Sequence, residues 1–365
     1  MIIDDIALTF IPQLGVRGIV HLLEIFGDAA AIFAASEQEL VERAELRSDI
    51  AKSIVSKRGY AEAERELKYC EKNGIRPISS TNADYSDRLR FTSDYPHILY
   101  TIGSVSSLQA ERVLSIVGTR KMTPYGERIC NQILEVVADK FPDTVVVSGL
   151  AYGADAAAHR AAVRFGLRTV GVVANALPDI TPAMNRALAR TMIEHGGAVV
   201  TEVSSRTPQN GNLYIPRNRI VAGVADGLLI LESPAGGGSM HTARAADGYS
   251  RTVMAVPGRG TDTMSVGTNW LIRTGIAQLV SSAEHLFESM NWKPADAVPE
   301  KLHISEREFN EKELRILAAI SDDGTPLDVI IERCGYSAGE VVATLLEMEM
   351  SDVVCQLPGK IYEKR

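Results

Sequence analysis

The stretch LSIVGTRKMTPYGERI, residues 114–129, reads as a buried strand, a turn and the start of a helix. Its apolar run stops at a single glycine, Gly118, and Thr119 and Arg120 follow. Thr123-Pro124 is a helix-start signature, with the threonine expected to cap and the proline to fill the first helical position. Such a turn presents backbone N–H groups and a fixed positive charge at a helix N-terminus, an arrangement that suits phosphate. It lacks the G-x-G-x-x-G of a dinucleotide turn and the Gly-Lys-Ser/Thr of a triphosphate loop. What remains is an anion turn in which Arg120 can hold a phosphate through two parallel N–H donors. Three owners of that phosphate stay open at this point: a small nucleotide, a sugar phosphate or a nucleic acid backbone.

Outward from this turn, short β-branched runs alternate with helical ones. Strands are expected at 113–117, 144–147, 169–173, 198–202, 227–232 and 252–256. Most are continuously apolar, as strands covered on both faces are. The alternation predicts a parallel, doubly wound α/β sheet over residues 76–290, whose ligands bind at the carboxyl ends of the strands. Residues 1–75 read as a helical domain that stops at Asn73-Gly74. Within it, FIPQLGVRGIVHLLEIFGD (10–28) has a helix-hairpin-helix pattern. Only Arg17 and His21 near that hairpin favour phosphate, so a small packing module is the preferred reading. A polar linker is expected at 291–310. The segment 311–365 has a winged-helix outline: a helix from Glu311, a turn at Asp323-Gly324, a short helix near 328–333, a helix capped by Ser337, and a hairpin with Pro358-Gly359 at its tip. Its would-be recognition helix, SAGEVVATLLEME, carries Glu340, Glu347 and Glu349 and no Lys or Arg, so protein contact or packing is expected there in preference to DNA.

The 365 residues are 45% hydrophobic and 23% charged, as in a soluble globular chain. No apolar run is long enough for a bilayer span, and the N-terminus lacks a signal-peptide pattern, so a cytoplasmic, non-membrane protein is expected. Cys70, Cys130, Cys334 and Cys355 are scattered and read as inert thiols; no metal site follows from their spacing. A net charge of −8 argues against a broadly basic nucleic-acid binder. It leaves room for a local groove: residues 204–225 hold no carboxylate and include Arg206, Arg217 and Arg219.

Two further constellations converge on the same predicted sheet edge. In VVVSGLAYGADAAAHRAA (145–162) a strand ends at Ser148-Gly149, and a loop through Gly153 leads into an alanine-rich helix. Asp155 and His159 at i, i+4 could be read as an acid/base pair. Nothing nearby supplies a nucleophile with an orienting group, so Asp155 as a cap and His159 as a packed residue is the preferred reading. In YIPRNRIVAGVADGLLILESPAGGGSMHTARAA (214–246), Arg217, Asn218 and Arg219 are expected just before a helix, where they suit a polyanion. Gly236, Gly237, Gly238 and Ser239 then form a second amide cradle. Tyr214 suits either a base stack or the core. Three anion-favouring loops on one edge predict a phosphate-binding groove.

The segments IVGTRKMTPYG, SGLAYGADAAAH, IPRNRIVAGVADGLLILES, GGSMHTARAADGYSRTVMAVPG and GTNWLIRTGIAQLV follow in order over most of 113–280, with ADYSDRLRFTSDYPHILYTIGS upstream. This series resembles the DNA-processing protein A (DprA/Smf) family. The resemblance implies a Rossmann-like core, an N-terminal SAM-like or helix-hairpin-helix domain and a C-terminal winged helix. It further implies a non-enzymatic, dimeric protein without cofactor. Such a protein binds single-stranded DNA and loads RecA recombinase onto it past single-strand-binding protein during natural transformation. On that analogy Gly118, Thr119, Arg120, Lys121, Ser148, Gly149, Arg217, Asn218, Arg219, Gly237, Gly238 and Ser239 would contact DNA. The family's Tyr-Pro-x-x-Asn segment survives here only as Pro182 and Asn185 of ITPAMNRAL. The rival reading is a Rossmann-like enzyme cleaving nucleoside monophosphates, which resembles this chain in its glycine cradle. Such enzymes carry a glutamate as catalytic acid where this chain has Thr242. A mononucleotide sensor using the same pocket is a third.

Overall fold

The computed structural model describes residues 2–208, 213–293, 309–321, 324–351, 353–357 and 360–364. The expected linker lies largely outside these residues, as do Asp323 of the expected turn and Pro358-Gly359 of the expected hairpin tip. The chain divides into two units, Met1–Lys293 and Pro294–Arg365. No helix among the described residues is long and apolar enough to cross a membrane.

The first unit begins with six helices: α1 (Ile2–Thr9), α2 (Val16–Phe26), α3 (Ala29–Ala34), α4 (Glu37–Ala44), α5 (Ser48–Val55) and α6 (Tyr60–Asn73). Their ends follow local chemistry. The Asp28 carboxylate accepts from the Ala31 amide at 2.8 Å, Ser36 and Glu39 form a reciprocal capping box, and Gly74 closes α6 at φ 63°. The buried faces of these helices, among them Leu8, Leu22, Ile32, Leu40 and Ile54, form one core with Ile98, Tyr100 and Val199 of the sheet. At that junction His97 Nε2 lies 3.0 Å from Asp5 Oδ1.

The sheet strands are β1 (Arg76–Ser79), β2 (Ile98–Gly103), β3 (Val113–Val117), β4 (Val145–Ser148), β5 (Arg168–Val172), β6 (Ala198–Thr201), β7 (Gly227–Ile230), β8 (Thr252–Ala255) and β9 (Gln278–Leu279). Helices α7 (Asp87–Arg90), α8 (Pro124–Lys140), α9 (Ala154–Arg164), α10 (Arg186–Glu194), α11 (Tyr214–Gly223), α12 (Gly238–Gly248), α13 (Val266–Arg273) and α14 (Ala283–Met290) alternate with them. The order is β1-β2-β6-β5-β4-β3-β7-β8-β9. From β6 to β9 all neighbours are parallel, while β2 pairs antiparallel with both β6 and β1. The six strands read from the sequence are β3 to β8, all in the parallel part; β9 adds a seventh parallel strand at one end, and β1 and β2 add an antiparallel edge at the other. Both faces are covered. Val113 and Val117 of β3 enter one core, and Leu114 and Ile116 enter the other, as the two-residue period of a strand demands. Strand order reverses at β3, which lies between β4 and β7. A doubly wound sheet opens its crevice at such a point.

The second unit contains α15 (Glu311–Ala319), β10 (Thr325–Pro326), α16 (Leu327–Cys334), α17 (Ala338–Met350), β11 (Val354–Leu357) and β12 (Ile361–Lys364). Its strands form an antiparallel sheet in the order β10-β12-β11. The core includes Ile316, Ile330, Val341, Leu345 and Tyr362. Ser337 and Glu340 cap α17 reciprocally. Three helices and a small sheet in this order are a winged helix.

Candidate nucleic-acid interface

The carboxyl ends of β3, β4 and β7 enclose a cavity of about 540 Å³. Ten of the twelve expected contact residues line it: Gly118, Thr119, Arg120, Lys121, Gly149, Arg217, Asn218, Gly237, Gly238 and Ser239. Ser148 and Arg219 are not in its wall. Ser148 is fully buried and donates to the Ile116 carbonyl at 2.6 Å, stitching β4 to β3.

The turn after β3 works differently from the sequence expectation. Two of its amides are already used. Thr119 N–H donates to the Glu232 carbonyl (2.7 Å), and Lys121 N–H donates to Thr119 Oγ1 (3.1 Å). The start of α8 holds an anion, but that anion belongs to the protein. Glu232 accepts from the Thr123 amide (2.7 Å) and from the Thr123 hydroxyl (2.8 Å). The Thr123 side chain therefore serves Glu232 and makes no hydrogen bond to a first-turn amide, whereas Pro124 does occupy the helix start. Gly118 is required by close packing. A Cβ there would come within 2.7 Å of the Ala154 Cβ and 2.9 Å of the Glu232 carbonyl oxygen. What this turn offers a ligand is its side chains: Arg120 and Lys121 are exposed on the cavity wall. The Arg120 guanidinium lies 5.2 Å from the Tyr214 ring centroid, a cation–π pair that steers the arginine.

The Arg-Asn-Arg segment also differs. It lies inside α11, which begins at Tyr214, and not before it. Residues two apart on a helix point about 200° apart, so the two arginines face opposite ways. Arg219 turns away from the cavity and pairs with Glu202 while donating to the Asp94 carbonyl. Arg217 turns inward but is buried. Its Nη1 donates to the carbonyls of Gly149 (2.6 Å) and Val172. Asp155 lies beside it. Burial pushes the Asp155 carboxyl up against the pull of Arg217, and pushes the Arg217 guanidinium down against the pull of Asp155. Gly149 makes room for the pair, since a Cβ there would lie 2.5 Å from Arg217 Nη1 and 2.6 Å from Asp155 Oδ2.

The glycine loop after β7 fits the expectation best. Gly237 is the N-cap of α12 and offers no side chain. Gly237 N–H itself donates to the Pro234 carbonyl (3.0 Å), and the Ser239 hydroxyl donates to Ser233 Oγ (2.8 Å). The amides of Gly238 and Ser239 find no partner among the described residues, and they lie in the cavity wall at the positive end of an eleven-residue helix.

His159 is fully buried, and its Nδ1 lies 2.6 Å from Thr169 Oγ1. Because that hydroxyl donates to the Val146 carbonyl, the histidine donates to it. Burial, reinforced by Arg217 and Arg160, pushes the imidazole down to about 3. It is a neutral packing residue, as preferred from the sequence. Asp155 accepts from the Ala151 amide (3.3 Å) in place of capping the helix end. Two residues gained a role only in three dimensions. One is Glu232, a charge directly after a buried strand. The other is Asn185, whose Nδ2 donates to the carbonyls of Leu150 (2.9 Å) and Ala151 (3.2 Å) and so holds the cavity-lining loop after β4. Leu150 sits there at φ 54°, a strained setting for leucine.

The family model described as DNA recombination-mediator protein A matches residues 76–291, and the DprA winged helix domain matches residues 294–360. Protein Smf of Escherichia coli is 33% identical over 305 residues, covering 81% of this chain and 79% of that protein. The X-ray structure of DNA processing protein A from Streptococcus pneumoniae aligns with a TM-score of 0.58 at 26% identity, covering 74% of this chain and 96% of that one. DNA processing protein A of Helicobacter pylori, whose structure concerns its single-stranded DNA binding mode, aligns with a TM-score of 0.53 at 25% identity, covering 60% of this chain and 96% of that one.

Proposed function

Since this chain belongs to the DNA recombination-mediator protein A family, we propose that the cavity at the β3/β4/β7 edge is a single-stranded DNA site and that the protein acts by binding. The observation that carries the reading is the donor set left unspent in one cavity. The Gly238 and Ser239 amides stand at an uncapped helix start, in the same wall as the exposed Arg120 and Lys121. A backbone phosphate satisfies all of these donors, and phosphate contacts of this kind carry no base information. Tyr214, half-buried beneath Arg120, gives an adjacent base a ring to stack on. Gly118, Gly149 and Arg217 shape the wall, and Asn218 adds a neutral hydrogen-bonding group.

The cavity's one carboxylate among the described residues, Asp155, is buried against Arg217, and Thr242 stands where a hydrolase of nucleoside monophosphates would place its acid. Both features favour binding over catalysis. In the cell we infer a cytoplasmic homodimer that binds incoming single strands, protects them, and loads RecA recombinase past single-strand-binding protein during natural transformation.

A salt-titrated gel shift with single- and double-stranded oligonucleotides tests the site. Arg120→Ala is expected to lower single-strand affinity about tenfold and to reduce the salt slope by about one. Equal affinity for both strand forms, or an unchanged slope in the variant, rejects it. Release of base from a nucleoside monophosphate by the purified protein would restore the enzyme reading.

A further inference from the structure

Helix α17 of the winged-helix unit occupies the position from which such domains commonly read DNA, yet its exposed face has the wrong chemistry for a polyanion. Val341, Leu345 and Met348 fill the unit's core. On the outward side Val342 is 44% and Leu346 57% exposed, one turn apart, with Ala343 exposed between them. Outward helix positions are ordinarily polar, so among the described residues this is an apolar ridge without a cover. Its surroundings are acidic. Glu340 opens the face and is engaged by Lys312 at 2.9 Å, while Glu347 is exposed beside Leu346 and Glu349 follows. The last turn holds no basic residue. Helix carbonyls already concentrate negative charge at that end, so carboxylates there are disfavoured in the isolated unit. Residues 309–365 hold 11 Asp and Glu against 6 Lys and Arg.

We propose that this face docks a basic amphipathic helix of a partner protein, whose apolar ridge covers Val342 and Leu346 and whose flanking Lys or Arg side chains meet the exposed Glu347, while Glu349 stays with the Gln356 amide at 3.3 Å. Charge decides among the possible occupants. A nucleic acid brings more negative charge to an acidic face, and a second copy of the unit brings the same net charge and the same carboxylates. A cationic helix relieves both the uncovered ridge and the crowded negative end of α17. The inference is independent of the DNA site, which lies in the other unit.

The test uses the full-length protein and three labelled synthetic peptides, read by fluorescence anisotropy. One is a leucine-ridged helix flanked by Lys and Arg, the second the same composition scrambled, and the third the ridged helix with Glu replacing each base. The ridged basic peptide is expected to bind about tenfold more tightly than either control, and Leu346→Ser and Glu347→Lys are each expected to weaken it about tenfold. Circular dichroism checks that both variants remain folded, which is expected because both side chains are exposed. The proposal is overturned if the ridged basic peptide fails to bind, if the scrambled peptide binds equally, or if neither variant changes its binding. It is also overturned if Leu346→Ser weakens single-stranded DNA binding, which would make the face a DNA surface. A change in sedimentation of that variant would assign the face to self-association and overturn it too.

Discussion

The cavity of the sheet unit and the outer face of α17 are both helix-based surfaces, and they are electrostatic opposites. In and around the cavity the chain has spent its carboxylates on internal partners: Asp155 in the wall lies beside Arg217, and behind the wall Glu232 is held by Thr123 and Glu202 by Arg219. What is left facing outward is two cations and an uncapped helix start. On α17 the helix start is closed by Ser337 and Glu340, and the surplus charge is negative at the far end. The contrast teaches that a fold's usual role does not travel with its outline. Which donors and charges remain unpartnered decides what a surface can hold.

The sharpest way to break this comparison is at the buried pair. Arg217→Ala leaves Asp155 without its cation and removes the hydrogen bonds Arg217 gives to two carbonyls, so a loss of about 3–5 kcal/mol of stability is expected in urea unfolding. A loss under about 1 kcal/mol would show that Arg217 is available to ligand after all. Asn185→Ala comes next. It removes two donors from the strained loop after β4, and about 1–3 kcal/mol is expected to go with them. Oligonucleotide affinity is expected to fall with it, though no contact to DNA is removed. Unchanged affinity would detach that loop from the site.

Glu232→Gln has a smaller and opposite effect on binding. The start of α8 loses its resident charge, at a cost of about 1 kcal/mol in thermal unfolding. Single-strand affinity is expected to rise about twofold, because a negative charge leaves the neighbourhood of the phosphate. A marked fall would mean that Glu232 does more than fill the helix start. The least effect is expected in the other unit, where Glu347→Lys should change single-strand affinity by less than about twofold. A large gain there would erase the contrast between the two surfaces.

Much of this was readable in the chain. The six apolar strands, the glycine stops and the winged-helix order follow from periodicity and caps, because neighbours in sequence set them. The convergence of three loops on one edge was also legible, since β3, β4 and β7 must present their carboxyl ends together in a doubly wound sheet. The antiparallel edge made by β1 and β2 was not, because RPIS and ILYTIG carry no signal of partner direction. The Arg-Asn-Arg segment misled for a related reason. Placing it just before a helix put both arginines on one side, whereas its place inside α11 rotates them apart.

By itself the sequence determined where the helices and parallel strands run, that phosphate-suited loops meet at one edge, and that the would-be recognition helix is acidic. These depend on side-chain period, turn chemistry and charge, all of them local. Only the tertiary structure decided which donors stay free. Glu232 reaches the start of α8 from the loop after β7, more than a hundred residues later, and Arg217 finds its carbonyls on the loop after β4 and at the end of β5. A hydrogen-bond donor has no memory of sequence distance. Burial obliges it to take the partner at hand, and the groups left over at the surface are the ones that meet a ligand.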